Sequence, residues 1–217
     1  MNKELSKRIF SSAIILLFIA LVIIQGSIFF NLLLFVCFCV SLYEWYKLIK
    51  NRLFCYLGIL FLIYSFYTAY KLYNFDSNYV NFIFVLLICI SSDVGGYIFG
   101  KIFKGPKLIS ISPNKTYAGV FGALILTIIS IFLFIKWLNL FPEELSISYK
   151  VFLFGILISI ISQLGDLIIS YFKRLYKIKN TGNIIPGHGG ILDRVDGMIF
   201  AFPFYYMLIS NNLFKIY

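Results

Sequence analysis

Long apolar runs constrain the fold of this chain more than any other feature of its sequence. In the 217 residues they can be drawn at 9–24, 28–43, 53–73, 79–100, 117–135, 149–170 and 198–214. Most of them approach the roughly 20 residues that a helix needs to cross the hydrocarbon core of a bilayer. Only 13% of the residues are charged, against about a quarter in soluble domains, which excludes a water-soluble globular fold. The sequence therefore predicts an all-α polytopic membrane helix bundle with about seven transmembrane helices, in a range of six to eight.

The distribution of basic residues predicts the orientation of these helices. Fifteen of the 19 Lys and Arg residues fall on one side of the predicted membrane, in the segments 3–8, 47–52, 101–115 and 173–194. The other four fall on the opposite side, namely Lys71, Lys136, Lys150 and Lys215. By the positive-inside rule the first side is cytoplasmic, and the N-terminus lies there too. The net charge of +10 is then mainly a topology signal, which favours contact with anionic membrane lipids over nucleic acid as a partner.

Nothing in the sequence indicates a soluble domain, so we expect a single integral membrane domain over residues 1–217. Within it, residues 1–78 are expected to contribute spans with little chemistry, and residues 79–217 to form a catalytic core. Glu44 and Lys47 lie three residues apart at the cytoplasmic end of a predicted helix. We interpret them as an ion pair at the membrane interface rather than as part of a site.

Polar chemistry is concentrated between Ser170 and Gly197, which include the only histidine, His188. Helical spacing places a carboxylate and several cations on one face just before and within this stretch, at Asp166, Ser170, Lys173, Arg174 and Lys177. Residues 186–190 then predict a turn whose bare backbone can approach a ligand. Asp193 and Asp196 follow, three residues apart on one side of a helical turn. Such a pair suits Mg²⁺, which takes oxygen ligands from one or two carboxylates together with substrate phosphates.

Two further segments carry polar groups. Asp93 lies deep in the fourth apolar run, where a carboxylate costs about 2.5–3.5 kcal/mol on insertion scales. It is interpreted as a metal ligand or the wall of a substrate cavity, with a structural hydrogen bond as the alternative. Ser112 and Pro113 match the N-cap and the first position of a helix, whose free N–H groups would face an anion. Lys115 would then bind a phosphate there, unless the segment is merely a basic loop.

The motif S-x-x-K-R-x4-K-N-x-G-x3-P-G-H-G-G-x-L-D-R-x-D-G, over residues 170–197, resembles the signature of the CDP-diacylglycerol synthases, or phosphatidate cytidylyltransferases. A second block, D-x-G-G-Y-x-x-G followed by S-P-N-K-T-x-x-G, is similar to another part of that family. The chain departs from the family pattern at Asn180, where Asp is usual, and at Ala118, where Glu is usual. The resemblance implies an enzyme integral to the cell (inner) membrane, with its active site facing the cytoplasm. Such an enzyme joins CTP to phosphatidic acid, releases pyrophosphate and requires Mg²⁺.

The resemblance also implies roles for individual residues. The expected metal ligands are Asp166, Asp193, Asp196, Asp93 and, as a neutral oxygen ligand, Asn180. The expected catalytic, phosphate-binding residues are Lys173, Arg174, Lys179, His188 and Arg194, with His188 contacting phosphate or transferring a proton. The expected contacts on the other side of the substrate are Ser112, Lys115 and Thr116.

Two other functions use similar residues. A CTP-dependent polyprenol or lipid kinase would release CDP in place of pyrophosphate. A non-enzymatic anion transporter would place its charges near the membrane midplane in broken helices, whereas most charges here fall in the predicted cytoplasmic loops. A homodimer is left open by the sequence.

Overall fold

The computed structural model of this protein describes Val22 and residues 25–75, 79–109, 112–138, 149–184 and 189–211. The helices of these residues are α1 (Ser27–Leu48), α2 (Arg52–Tyr73), α3 (Val80–Phe103), α4 (Tyr117–Leu138), α5 (Tyr149–Leu175), α6 (Leu192–Val195) and α7 (Met198–Ser210). The strands β1 (Lys107–Ile109) and β2 (Ser112–Thr116) form an antiparallel hairpin in which Lys107 pairs with Thr116.

Helices α1 to α5 are each long and apolar enough to cross a membrane. Helix α7 is also apolar but has only 13 residues. Six of the predicted spans therefore coincide with helices, and the fold is that of an all-α polytopic membrane protein, as predicted. The first predicted span, residues 9–24, lies outside the described residues except for Val22.

The described chain divides into two compact units that interleave along the sequence. Unit 1 consists of the described parts of Met1–Tyr70 together with Phe172–Val195. Unit 2 consists of the described parts of Lys71–Tyr171 and Asp196–Tyr217. The expected assignment of chemistry, little in residues 1–78 and most in residues 79–217, stays a prediction, but the compact units do not follow that boundary.

In unit 1, Trp45 anchors the end of α1 to the start of α2. Its indole Nε1 donates a hydrogen bond to the carbonyl of Cys55 at 3.2 Å, and its ring meets that of Phe172 edge-on at 5.3 Å. Gly58 leaves the space that the indole fills, because a Cβ there would collide with the ring. Helix α2 begins after Asn51, whose side-chain oxygen caps the free N–H of Leu53 at 2.9 Å. These contacts fix the last turn of α1.

In unit 2, the backbones of α3 and α4 approach closely at Gly95. A Cβ added to Gly95 would lie 2.5 Å from the carbonyl oxygen of Gly122 and 2.9 Å from the Cα of Ala123. Small residues at both surfaces allow this approach, as in many membrane helix pairs. On another side of α3, Phe82 stacks on Phe202 of α7 at 5.1 Å.

The expectation that Ser112 caps a helix whose first residue is Pro113 is wrong. Ser112–Thr116 form strand β2, and helix α4 begins only at Tyr117. The hydroxyl of Thr116 accepts a hydrogen bond from the N–H of Gly119 at 3.1 Å, so Thr116 performs the capping predicted for Ser112. Lys115 consequently projects from a strand, and its position owes nothing to a helix dipole.

Candidate active site

In unit 1, Asp193 organises the connecting loop, which we define as residues 176–191 between α5 and α6. Its Oδ1 accepts a hydrogen bond from the ammonium of Lys173 at 3.0 Å, in an ion pair whose side chains are largely buried. Its Oδ2 accepts hydrogen bonds from the backbone N–H groups of Thr181 at 2.9 Å and Gly190 at 3.0 Å. Hydrogen bonds to a charged group contribute about 1.5–3 kcal/mol each. Asp193 therefore fastens both described ends of the loop to the end of α5.

Asn180, the departure from the family pattern, lies beside Asp193. A Cβ added to Gly189 would lie 3.2 Å from Cγ of Asn180 and 2.7 Å from Oδ2 of Asp193. Gly189 also has a φ of 91°, which side-chain-bearing residues rarely adopt. The loop thus needs glycine here to bring Asn180 next to the carboxylate.

Glu44, near the end of α1, is a second carboxylate directed at this loop. It is 1% exposed. Its Oε1 accepts a hydrogen bond from the N–H of Ile191 at 3.1 Å. Its Oε2 accepts one from the hydroxyl of Thr181 at 2.9 Å and one from the N–H of Leu192 at 2.8 Å. The interpretation of Glu44 and Lys47 as an interfacial ion pair is wrong, because Glu44 is buried while Lys47 is exposed.

The C-terminus of α5 ends in a Schellman motif, which turns the chain into the connecting loop. The N–H of Ile178 donates to the carbonyl of Lys173 at 2.9 Å, and the N–H of Lys177 donates to that of Arg174 at 3.0 Å. Lys177 occupies the left-handed position, with φ 56°, where glycine is usual. It lies beyond the helix, so the predicted stripe of cations ends at Arg174.

In unit 2, Lys115 and Asp166 form an ion pair of 2.6 Å. The ammonium of Lys115 also donates to the carbonyl of Gln163 at 3.2 Å, and the hydroxyl of Ser170 donates to Oδ1 of Asp166 at 3.3 Å. About a quarter of each charged side chain is exposed, 24% for Lys115 and 27% for Asp166. The predicted helical spacing of Asp166 and Ser170 is confirmed, and both charges are fixed yet accessible.

Asp196 is a buried residue of unit 2 that adjoins Asp166 through the backbone. A Cβ added to Gly165 would lie 3.0 Å from the carbonyl oxygen of Asp196, so the segment before Asp166 contacts the backbone of Asp196. Oδ1 of Asp196 accepts a hydrogen bond from the N–H of Gly197 at 3.0 Å. Unit 2 therefore brings the backbone of Asp196 against Gly165, the residue before Asp166.

Asp93 lies in α3, as predicted, and is exposed. The two serines before it make hydrogen bonds between helices of unit 2: Ser91 accepts from the hydroxyl of Ser130 at 3.0 Å, and Ser92 from the hydroxyl of Ser159 at 3.0 Å. Such bonds hold polar groups within an apolar bundle. The functional role of Asp93 stays a prediction.

The remaining predicted residues occupy less enclosed positions. Those on the surface are Arg174, Lys179 and Arg194. Ser112 is half-buried in β2, and Thr116 is buried. His188 lies outside the described residues. These placements leave the exposed cations accessible to an anionic ligand, and their predicted roles stay predictions.

Mg²⁺ takes carboxylate oxygens as ligands, and unit 2 contains two of the predicted ones, Asp166 and Asp196. In the described ranges, no group of three or more His, Cys, Asp or Glu side chains lies close enough to hold a metal ion. Asp166 and Asp196 offer two carboxylates, which suffice for an ion that also binds substrate phosphates. Asp166 and Asp193 each already bind an ammonium, that of Lys115 and that of Lys173, with which a metal at either carboxylate would compete.

Sequence reasoning missed Glu44, although its signal was present. An acidic residue at the end of an apolar run is by default a candidate for a functional site with a buried partner. Its partners, however, are 137 to 148 residues away in the chain, and no local spacing connects them.

Comparison with known protein families matches residues 50–211 to the cytidylyltransferase family. Among similar curated proteins, a phosphatidate cytidylyltransferase of Bacillus subtilis (strain 168) is 39% identical over 140 residues, 63% of this chain and 50% of that protein. One of Staphylococcus haemolyticus (strain JCSC1435) is 35% identical over 168 residues, covering 74% of this chain and 62% of its own length. One of Rickettsia bellii (strain RML369-C) is 36% identical over 181 residues, covering 79% and 75%. The chain spans 50% to 62% of the first two relatives.

Proposed function

The chain belongs to the cytidylyltransferase family, and on this premise we propose that it transfers a cytidylyl group from CTP to phosphatidic acid. The products are CDP-diacylglycerol and pyrophosphate. The observation that carries the proposal is a pair of lysines, Lys173 and Lys115, each held in place by a carboxylate within a segment of the family resemblance. Three relatives with the name phosphatidate cytidylyltransferase support the choice of substrates.

The reaction is a displacement at phosphorus. An oxygen of the phosphatidate phosphate forms a bond to the α-phosphorus of CTP. The bond from that phosphorus to the bridging oxygen of the β-phosphate breaks, and pyrophosphate leaves with the electron pair. The substrate supplies its own anionic nucleophile, so no side chain of the protein need form a covalent intermediate. The protein's contribution is to hold two anionic reactants together and to offset their charge.

The ion pairs suit this task because they fix the cations before substrate binds. Asp166 and the carbonyl of Gln163 hold the ammonium of Lys115, and Asp193 holds that of Lys173. Cations positioned in advance need no reorganisation when charge develops in the transition state. We assign each lysine, within its own unit, a substrate phosphate as its ligand. In unit 1 the exposed side chains of Lys179 and Arg194 assist Lys173.

Magnesium is part of the proposal. When bound, Mg²⁺ supplies charge neutralisation at the phosphate oxygens. Asp166 and Asp196 are the residues that we expect to hold it, because the chain segments that carry them are in contact at Gly165. Asp193, in this proposal, mainly orients Lys173 and the connecting loop.

We place the protein in the cell (inner) membrane with its active site facing the cytoplasm, where CTP is available. Five apolar helices support the membrane location. The 15-to-4 division of the Lys and Arg residues supports the orientation.

The proposal is tested by incubating the purified full chain with phosphatidic acid, Mg²⁺ and CTP labelled in the cytosine ring and in the γ-phosphate. We expect labelled CDP-diacylglycerol and labelled pyrophosphate in equal amounts. Release of CDP with transfer of the γ-phosphate to lipid would identify a kinase and overturn the proposal, as would the absence of any product.

Two variants connect the activity to the described clusters. Asp166→Asn and Asp193→Asn should each lower kcat/KM by at least about a hundredfold, since each frees a buried or half-buried cation from its partner. Lys150→Gln, at the start of α5, removes an exposed charge from the opposite end of the same helix and should leave the activity unchanged. Equal loss in all three variants would contradict the assignment.

A further inference from the structure

Glu44 lies outside the residues that match the family, yet it makes three hydrogen bonds to the connecting loop and the start of α6. The family match begins at residue 50. The donors to Glu44 are two backbone N–H groups, of Ile191 and Leu192, and the hydroxyl of Thr181. These donors lie on both sides of residues 185–188, so one side chain joins the two described parts of the loop.

The loop is shaped to admit this carboxylate. A Cβ added to Gly182 or to Gly190 would collide with the carboxylate oxygens of Glu44. Neither glycine is among the described residues with positive φ, so their backbone does not require glycine. Glycine at both positions is explained by the carboxylate of Glu44, which occupies the space that a Cβ would need.

The hydrogen bonds specify a carboxylate rather than any polar side chain. Both oxygens of Glu44 act as acceptors, one for a single donor and the other for two. A glutamine of the same shape would direct an NH₂ group at an N–H or hydroxyl donor, leaving a buried donor without an acceptor. Helix α1 is anchored by Trp45, the next residue, which fixes the place from which the carboxylate reaches the loop.

We propose that Glu44 is a positioning residue that fixes the backbone of the connecting loop, so that Lys179 and Arg194 are presented to the substrate phosphates. Glu44 acts on the loop from α1 and does not itself touch substrate. The part of this inference that concerns substrate rests on the proposed cytidylyl transfer. The part that concerns the loop does not.

The loop is tested by amide hydrogen exchange of the full chain in detergent micelles, comparing the wild type with Glu44→Gln. We expect exchange of the Ile191 and Leu192 amides to become about ten to a hundred times faster, the range that corresponds to an unsatisfied buried hydrogen bond. Exchange in α3, which belongs to the other unit, should not change. Unchanged exchange at Ile191 and Leu192, or equal acceleration in α3, would overturn the proposal.

Lys47→Gln is the matched control, because it replaces a charged residue by the same amide one turn later in α1, where the side chain is exposed. It should leave exchange in the loop unchanged. If Glu44→Gln does not fold, Thr181→Val removes a single donor to Glu44 and nearly preserves the side-chain volume. It should accelerate the same amides by a few-fold, and no acceleration would contradict the role of Glu44.

A double-variant cycle tests the glycine cradle. Gly182→Ala should accelerate loop exchange in the wild type, since its methyl group displaces the carboxylate. In a Glu44→Ala background the same change should have little further effect, because the space is already empty. Additive effects would show that Gly182 and Glu44 act separately and would overturn this part of the inference.

Kinetics separate the positioning role from the proposed activity. In Glu44→Gln we expect kcat to fall about ten- to a hundredfold, as displaced phosphate-binding groups lose alignment, while KM for CTP changes much less. Altered exchange with normal kcat would overturn the positioning role. A wild type without activity would instead refute the proposed function, and the exchange data would still decide whether Glu44 holds the loop.

Discussion

Asp193 and Glu44 accept hydrogen bonds from neighbouring segments of one glycine-rich loop. Thr181 shows the arrangement most directly, since its N–H donates to Asp193 and its hydroxyl to Glu44. Glycine loses more conformational freedom on ordering than any other residue, so a loop of this composition needs strong contacts to hold one shape. At the scale of single residues, both acids therefore act on backbone geometry before any substrate binds.

Asn180 tests the ligand set that the family resemblance implies, in which Mg²⁺ lies beside Asp193 and not at Asp166 and Asp196. Asn180→Asp adds a negative charge beside Asp193. If the metal lies there, the variant should lower the Mg²⁺ concentration needed for half-maximal activity while turnover is retained, because a charged oxygen ligand binds a hard cation better than an amide. Activity measured over a Mg²⁺ titration checks this.

The control is Asn183→Asp, which introduces the same charge at an exposed position of the same loop. It should leave the Mg²⁺ requirement unchanged. An inactive Asn180→Asp protein, or a requirement that does not move, means that Asn180 is not near the metal.

Residue chemistry was predictable where the partners share a local pattern. Asp166 and Ser170 are one helical turn apart, and the hydroxyl of Ser170 donates a hydrogen bond to the carboxylate of Asp166. The Lys115–Asp166 pair and the Glu44 contacts depend on residues far apart in the chain, for which the sequence provides no spacing rule. Local periodicity can place a side chain on a face, but only tertiary packing selects its partner.

At the scale of elements, the left-handed turn at Lys177 stores strain. A residue with a side chain and a φ near 56° costs about 1–2 kcal/mol of folded-state strain, which glycine would relieve. Glycine also raises the conformational entropy of the unfolded chain, so only part of that strain energy appears as added stability. We therefore expect Lys177→Gly to raise the free energy of unfolding by roughly 0.5–1 kcal/mol, measured by thermal unfolding in detergent. Lys179→Gly, two residues later and without positive φ, should give no such gain. Equal effects of the two changes would contradict the role of the turn.

The contact between α3 and α4 supplies a second test. Gly95→Ala should destabilise the protein by about 1–3 kcal/mol, because the new methyl group meets backbone that cannot rotate away. Gly96→Ala is its control, since the nearest atom to a Cβ there is 3.7 Å away. Unfolding in detergent should separate the two variants, and similar stabilities would mean that the helices can move apart at little cost.

Six of the seven predicted spans were recovered as helices because apolar length is a strong signal. The segment 112–116 was predicted incorrectly. Its Ser-Pro pair is typical of a helix start, but pairing with β1 provides the backbone hydrogen bonds of a strand. The ends of elements depend on such competing partners, which explains why the helix begins four residues later than predicted.

On the scale of the whole molecule, the orientation is the prediction most open to direct measurement. In a chain whose four native cysteines are replaced, a single cysteine at Lys107 or at Asn183 should resist a membrane-impermeant thiol reagent added to intact cells. A cysteine at Lys150 should react, because the charge distribution puts that end of α5 outside. Efficient labelling of the cysteine at position 107 or 183 would show the opposite orientation. The site would then lack the access to cytoplasmic CTP on which the proposed function depends.

The interleaving of the two units has a consequence for how the protein is made. A ribosome completes Glu44 long before Thr181 and Leu192, which follow 137 and 148 residues later. At roughly 5–20 residues per second, about 7–30 s of translation separate the carboxylate from its partners. Through that interval the nascent α1 must keep its acidic end within reach of water, since an unpartnered carboxylate in lipid costs about 2.5–3.5 kcal/mol. Unit 1 is therefore completed only when residues 172–195 are synthesised, after most of unit 2 has been translated.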